Sequence, residues 1–243
     1  MRHFQTLIVS VILSLIAVTQ ASNNLVPGAP NFVNLFPDGS LFATPEMLRI
    51  AASLRQDVVN MGGCNVNVCF ALDGSASIPA DEYQLVVEFV QLVTAIMSGT
   101  GLNAFAGTQY GLGNKDISRL TSDADAFLLA LEGLESPRAS RTFIAAGLGF
   151  CIRDLRRRLE DANKIVLFGD GRSNFGGNPV PIAERFREMY DGDICAIGIG
   201  FQDITVLEQI TGSPDRVLAI DDVFVLLDIV GQIVFEVCGF ETR

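Results

Sequence analysis

The sequence predicts a doubly wound α/β fold: a mostly parallel central sheet with helices on both faces. Three observations carry this. Val66-Asn67-Val68-Cys69-Phe70-Ala71-Leu72 is a largely apolar run that stops at Asp73-Gly74-Ser75-Ala76-Ser77, and such a run bounded by turn residues reads as a strand buried on both faces. Ile165-Val166-Leu167-Phe168 repeats the pattern and stops at Gly169-Asp170-Gly171. Between and after them, apolar residues recur at helical spacing, so strands and helices alternate, as in parallel sheets covered by helices.

The chain has 243 residues, 49% hydrophobic, with a mean hydropathy of +0.37. That supports one full core and a short extension. Met1-Arg2-His3 precedes the apolar run Leu7 to Val18 and then Thr19-Gln20-Ala21, the pattern of a secretory signal peptide over 1–21. The run is shorter than the ~18 residues a membrane span needs. Cleavage after Ala21 removes His3, the only histidine, and Arg2, taking the formal charge from -11 to -12. The mature chain then has no imidazole for base catalysis, nucleophile activation or zinc ligation. Its acidic balance argues against nucleic acid or anionic lipid as partner.

Residues 22–63 form an N-terminal extension. Pro27, Pro30, Pro37 and Gly39 punctuate a loop. Thr44-Pro45 then reads as an N-cap with proline at the first helical position, and Leu48, Ala51, Leu54 and Val58 give a helix ending at Gly62-Gly63. Docking on the domain is the expected state, because an exposed apolar helix face is a liability.

After the first strand, Pro79 precedes a helical period through Val86, Phe89, Val90, Val93 and Met97. Asn103 to Tyr110 and Asp116 to Leu120 read as two short strands, close enough for one to be an antiparallel edge. Asp125 to Leu134 reads as a short helix. A longer one covers Thr142 to Leu159, with Leu148, Ile152, Leu155 and Leu159 on one face and Arg153, Arg156, Arg157 and Arg158 on a solvated face. Helix Ile182 to Tyr190, strand Ile194 to Ile199, a helix around Val206, strand Val217 to Ile220 and a last helix from Asp222 to Val237 complete the alternation.

Gly198-Ile199-Gly200 lacks the third glycine of a dinucleotide fingerprint, and no phosphate-binding Gly-x-x-x-x-Gly-Lys loop occurs, which disfavours nucleotide binding. Asp73, Ser75 and Ser77 instead offer oxygen donors between a strand end and a helix start, where open α/β sheets bind ligands. Oxygen donors favour a hard cation such as magnesium. Five cysteines remain: Cys64, Cys69, Cys151, Cys195 and Cys238. An odd number in an exported protein leaves at least one unpaired or intermolecular. Cys69, Cys151 and Cys195 lie within apolar runs or on a helix face, where buried thiols acting as small hydrophobes are expected. Cys64 and Cys238 bracket the domain. There is no N-glycosylation sequon, and Phe240-Glu241-Thr242-Arg243 gives no hydrophobic tail for a lipid anchor.

The run ending Asp73-x-Ser75-x-Ser77 resembles the first element of the von Willebrand factor A domain, also called the integrin I domain. Thr142-Phe143-Ile144-Ala145-Ala146-Gly147-Leu148 resembles its threonine turn, and Phe168-Gly169-Asp170-Gly171-Arg172-Ser173 its acidic strand end. Ile197-Gly198-Ile199-Gly200 and Val217 to Asp222 are similar to its later strand ends. The resemblance covers roughly 64–238 and leaves 239–243 as a tail. It implies a metal-ion-dependent adhesion site made of Asp73, Ser75, Ser77, Thr142 and Asp170. In it Ser75 and Ser77 bind the ion directly, Thr142 directly or through water, and the two aspartates mainly through water. The implied ion is magnesium, with manganese or calcium as alternatives, and the implied partner is an extracellular protein ligand presenting a Glu or Asp carboxylate. Mostly neutral donors leave the cation electron-poor, so an incoming carboxylate binds strongly. Two positions depart from the family pattern: Ile144, where a polar residue is frequent, and Gly169, where threonine is common. The resemblance also implies a Cys64–Cys238 disulfide.

The leading expectation is therefore a secreted, non-catalytic adhesion or matrix-binding protein with no membrane span and no nucleic-acid partner. A structural matrix component that self-associates, its metal only stabilising the fold, is the alternative. A metal-dependent hydrolase using Asp73 or Asp170 ranks last, because no further acid follows the turn until Asp81.

Overall fold

All eight residues of β1 (Val66–Asp73) are buried, and the sheet is built outward from it. A computed structural model describes residues 40–158, 162–200 and 204–240. The expected signal peptide at 1–21, the start of the extension at 22–39, Leu159 and residues 241–243 lie outside the described residues. One sheet contains β1, β2 (Ala104–Tyr110), β3 (Asn114–Thr121), β4 (Ala162–Gly169), β5 (Asp193–Ile199) and β6 (Val217–Ile220), in the spatial order β3-β2-β1-β4-β5-β6. Every pairing is parallel except that of β2 with β3, so β3 is the antiparallel edge. The chain leaves β1 toward β2 and returns on its other side at β4. Strand order thus reverses between β1 and β4, which opens a crevice at their carboxyl ends.

Successive strand residues feed opposite core layers, as a period of two requires. Val68, Phe70 and Leu72 enter one layer, and Cys69 and Ala71 the other. The first layer is closed by α1 (Pro45–Asn60), α2 (Ala80–Met97) and α3 (Ala124–Leu131), and by α7 (Leu226–Cys238) at the end of the chain. The second is closed by α4 (Ile144–Leu155), α5 (Val180–Tyr190) and α6 (Thr205–Thr211), through Leu148, Phe186 and Leu207. The extension helix is docked: Met47, Leu48, Ala51 and Val58 of α1 are buried in the first layer. Thr44 caps it, accepting from the Met47 N–H at 3.2 Å, with Pro45 at the first position.

Two helices start later than their periodicity suggests. Helix α4 begins at Ile144, and Thr142 stays in the loop before it because its backbone is held by the loop after β4 (below). Helix α7 begins at Leu226, after a 3-10 turn over Val223–Val225 that Asp222 caps by accepting from the Phe224 N–H at 2.9 Å. Of the arginine face, Arg156, Arg157 and Arg158 are exposed. Arg153 lies over the Phe150 ring at 4.7 Å and pairs with Asp116 at 3.7 Å.

The cysteines require a correction. Cys69 and Cys151, expected as buried thiols, form a disulfide with a Cα–Cα distance of 5.5 Å. Periodicity places each on an apolar face, but it cannot show that the β1 position facing the second layer meets this position on α4. Cys64 and Cys238 form the other disulfide, with a Cα–Cα distance of 5.0 Å, and enclose the sheet between them. Cys195 is the one free cysteine among the described residues, and burial pushes its thiol up to about 12. A thiol in that state is inert.

Non-reducing peptide mapping is expected to recover Cys64–Cys238 and Cys69–Cys151 peptides, with Cys195 alkylated only after denaturation. Replacing Cys69 and Cys151 together by serine should lower unfolding stability by about 2–4 kcal/mol in a denaturant titration. Recovery of a Cys195 disulfide would contradict this pairing.

Candidate metal centre

Asp73 is the last residue of β1, and Asp170 directly follows β4. They stand side by side at the sheet's switch point, 1% and 4% exposed. In each, one carboxylate oxygen folds the next turn back over the strand end. Asp73 Oδ1 accepts from the Ser75 N–H at 2.8 Å, and Asp170 Oδ1 from the Arg172 N–H at 2.9 Å; short-range bonds of this kind are why Asp favours turns. The other oxygen of each, Oδ2, is buried without a hydrogen-bond partner among the described residues, as is Ser173 Oγ. Ser75 Oγ lies 2.7 Å from Ser77 Oγ. Ser75 is buried and Ser77 exposed, so this hydroxyl pair leads from the crevice to solvent.

Backbone bonds bring in the third loop. The Ala76 N–H donates to the Ala139 carbonyl at 2.8 Å, and the Ala139 N–H to the Gly74 carbonyl at 2.9 Å. Gly74 permits this approach: a Cβ there would lie 2.5 Å from Pro137 Cγ. The segment so pinned runs into Thr142, which is buried. Its N–H donates to Asn174 Oδ1 at 2.9 Å, and its carbonyl accepts from the Phe175 N–H at 3.2 Å. Asp73, Ser75, Ser77, Thr142 and Asp170 therefore sit on three loops bonded to one another.

Sequence reasoning missed Tyr110, Ser173 and Asn174. Tyr110 ends β2, and its fully buried hydroxyl donates to the Phe168 carbonyl at 2.6 Å. It also explains Gly169. A Cβ at that position would lie 2.5 Å from Tyr110 Oη and 3.0 Å from Asp73 Oδ2. The phenol occupies the space a threonine side chain would need. Ile144, the other departure, is fully buried in the second core layer, where a polar side chain would lose its hydration.

The electrostatics follow from burial. Desolvation pushes the Asp73 carboxyl up to about 7, and the charge of Asp170 adds to the rise; the Ser75 N–H and hydroxyl and the nearby Asp170 N–H oppose it. A folded-state value above the unfolded ~3.9 means that, without a cation, this group's contribution to stability falls as pH rises from about 4 to about 7. A cation reverses that sign by favouring the ionised form. Among the described residues no three or more His, Cys, Asp or Glu side chains cluster as metal ligands. Two free carboxylate oxygens with clustered hydroxyls fit a hard cation that keeps water or an external ligand in its shell.

The family model described as the von Willebrand factor type A domain matches residues 67–232. Among solved structures, proximal thread matrix protein 1 (PTMP1) from the mussel byssus is similar with a TM-score of 0.66 and 22% identity, over 72% of this chain and 49% of that one. A further structure of that protein, described as having a zinc-occupied MIDAS motif, gives 0.65 and 22% over 72% and 49%. This chain thus spans about half the length of those matches. A conserved hypothetical protein, BatB, from Bacteroides thetaiotaomicron gives a TM-score of 0.60 and 14% identity, over 72% of this chain and 99% of that one. These likenesses show the fold. No curated protein sequence matches the chain.

The crowding at Gly169 has a measurable consequence. Gly169→Ala is expected to destabilise the domain by about 1–3 kcal/mol in denaturant melts, the usual effect of overpacking. Adding Tyr110→Phe, which removes the clashing oxygen, should make the double variant less destabilised than the sum of the two single ones. Strict additivity would show that the phenol does not exclude a side chain at 169.

Proposed function

This chain belongs to the von Willebrand factor type A domain family, and we propose that it is a secreted, non-catalytic adhesion or matrix-type binding protein. In this reading a domain over 64–238 holds a divalent cation, magnesium in the first place, through Asp73, Ser75, Ser77, Thr142 and Asp170. The ion completes its coordination with a Glu or Asp of an extracellular protein ligand. One observation carries the reading: two adjacent buried carboxylates at the switch point each keep one oxygen without a hydrogen bond among the described residues, beside a hydroxyl pair of which Ser77 is exposed. Leaving such groups uncompensated is costly. A bound cation would offset that cost, and the neutral hydroxyls of Ser75, Ser77 and Thr142 would leave it electrophilic toward an incoming carboxylate.

The two disulfides support an oxidising compartment, and no helix among the described residues is long and apolar enough to cross a membrane. No catalytic step is assigned, because the chain's only histidine lies in the proposed signal peptide. The likeness to a thread matrix protein favours a second reading, a structural matrix component in which the ion only stabilises the fold.

Capture separates the two. The immobilised protein, exposed to extracellular-matrix extract in magnesium, is expected to retain a set of proteins that a chelator releases and that Asp73→Ala fails to retain. Thr142→Ala should reduce capture more than it reduces stabilisation by magnesium, which is about 2.7 kcal/mol at a hundredfold excess over Kd. Retention unchanged by chelator and by Asp73→Ala would contradict the adhesion reading.

A further inference from the structure

The threonine loop and the segment after Asp170 are basic in an acidic chain. The protein carries 28 acidic and 17 basic residues. Yet no acidic residue occurs between Ser136 and Arg153, or from Gly171 to Ala183, and these segments contribute Arg138, Arg141 and Arg172. All three are exposed, and none takes part in the ion pairs formed among the described residues. Each is tied to the site. The Arg172 N–H binds Asp170 Oδ1. Arg138 adjoins Ala139, which is bonded to the serine turn, and its backbone has φ +48, a conformation unusual for a residue this bulky. Arg141 precedes Thr142 and lies 4.6 Å over the Phe175 ring, which packs edge-on against Phe143 at 5.6 Å. That stacking fixes a long, flexible side chain beside the buried threonine.

The start of α2 has the other sign. Asp81 and Glu82 occupy the first turn of α2, and burial together with the charges of Asp81 and Asp222 raises the Glu82 carboxyl. The mouth of the crevice is thus acidic at the start of α2 and basic along the threonine and Asp170 loops. A groove of about 330 Å³ is lined by Leu112, Lys115, Pro137 and Ala139 among others, the last two flanking Arg138 in the chain.

We propose that Arg138, Arg141 and Arg172 select an acidic polypeptide segment, in which one carboxylate meets the cation and neighbouring carboxylates meet the arginines. Arginine suits this role because its planar fork pairs with carboxylates through two parallel hydrogen bonds. The acidic side of the mouth repels the segment, so it lies across the basic side toward the groove. This inference rests on the metal-dependent binding proposed above and narrows its ligand class.

The test uses three probes with the full mature chain in magnesium: a Gly/Ser peptide with one glutamate, the same peptide with four consecutive glutamates, and heparin. The four-glutamate peptide is expected to bind roughly tenfold tighter than the single-glutamate one, the combined effect of two or three exposed charge pairs. In Arg138→Gln/Arg172→Gln that preference should shrink to about twofold while single-glutamate binding is unchanged. This variant keeps the Arg141–Phe175 stack, and its melting shift with magnesium reports that the site is intact. Equal affinities for the two peptides, or a preference that survives in the variant, would overturn the inference and leave the metal reading standing. Heparin binding tighter than either peptide and indifferent to magnesium would overturn it in favour of a sulfated glycan. Absence of any magnesium-dependent peptide binding, in wild type as in Asp73→Ala, would remove the metal reading and this inference with it.

Discussion

Asp73 and Asp170 are two carboxylates held side by side in a crevice with little access to water. Each uses one oxygen to fold its own loop and leaves the other buried without a hydrogen bond among the described residues. Two like charges in that setting repel. Burial, and to a lesser degree the charge of Asp170, raises the Asp73 carboxyl to about 7, so protonation of Asp73 is the protein's own way of easing that burial. A divalent cation bound there would relieve the repulsion while keeping both ionised. Much of the local architecture is what it takes to hold the pair in place.

The holding is done by backbone. Gly74 and Ala76 bond to Ala139, Thr142 to Asn174 and Phe175, and Tyr110 reaches under the pair to the Phe168 carbonyl. Two glycines are required by close approach, Gly74 against Pro137 and Gly169 against Tyr110. The disulfides act further away. Cys64–Cys238 joins the residue two before β1 to the last residue of α7, and Cys69–Cys151 fixes α4, whose first residue lies two after Thr142, to β1, which ends at Asp73.

The fold was legible in the sequence because its two signals are strong. β1 and β4 are continuous apolar runs bounded by turn residues, and the helices keep their periods. The antiparallel edge was legible from the short spacing of β2 and β3. The Cys69–Cys151 bond was not, because periodicity assigns a face and not the neighbour across it. The candidate metal residues could be named from three short segments and their order along the chain. The reason for Gly169 could not, because Tyr110 reaches it from β2, 59 positions away in the sequence. The basic rim was hidden for a different reason: net charge averages over the surface, and three arginines in an acidic chain become a patch only when their loops are brought together.

The metal reading meets its most direct test in a calorimetric titration of magnesium into the wild type and Asp73→Ala above pH 7, where the Asp73 carboxylate is ionised, with melting curves recorded in parallel. The expected result is about one ion bound by the wild type with a rise in melting temperature, and neither heat nor shift in the variant. Equal heats and equal shifts in the two proteins would place the ion elsewhere and contradict the assignment of this crevice.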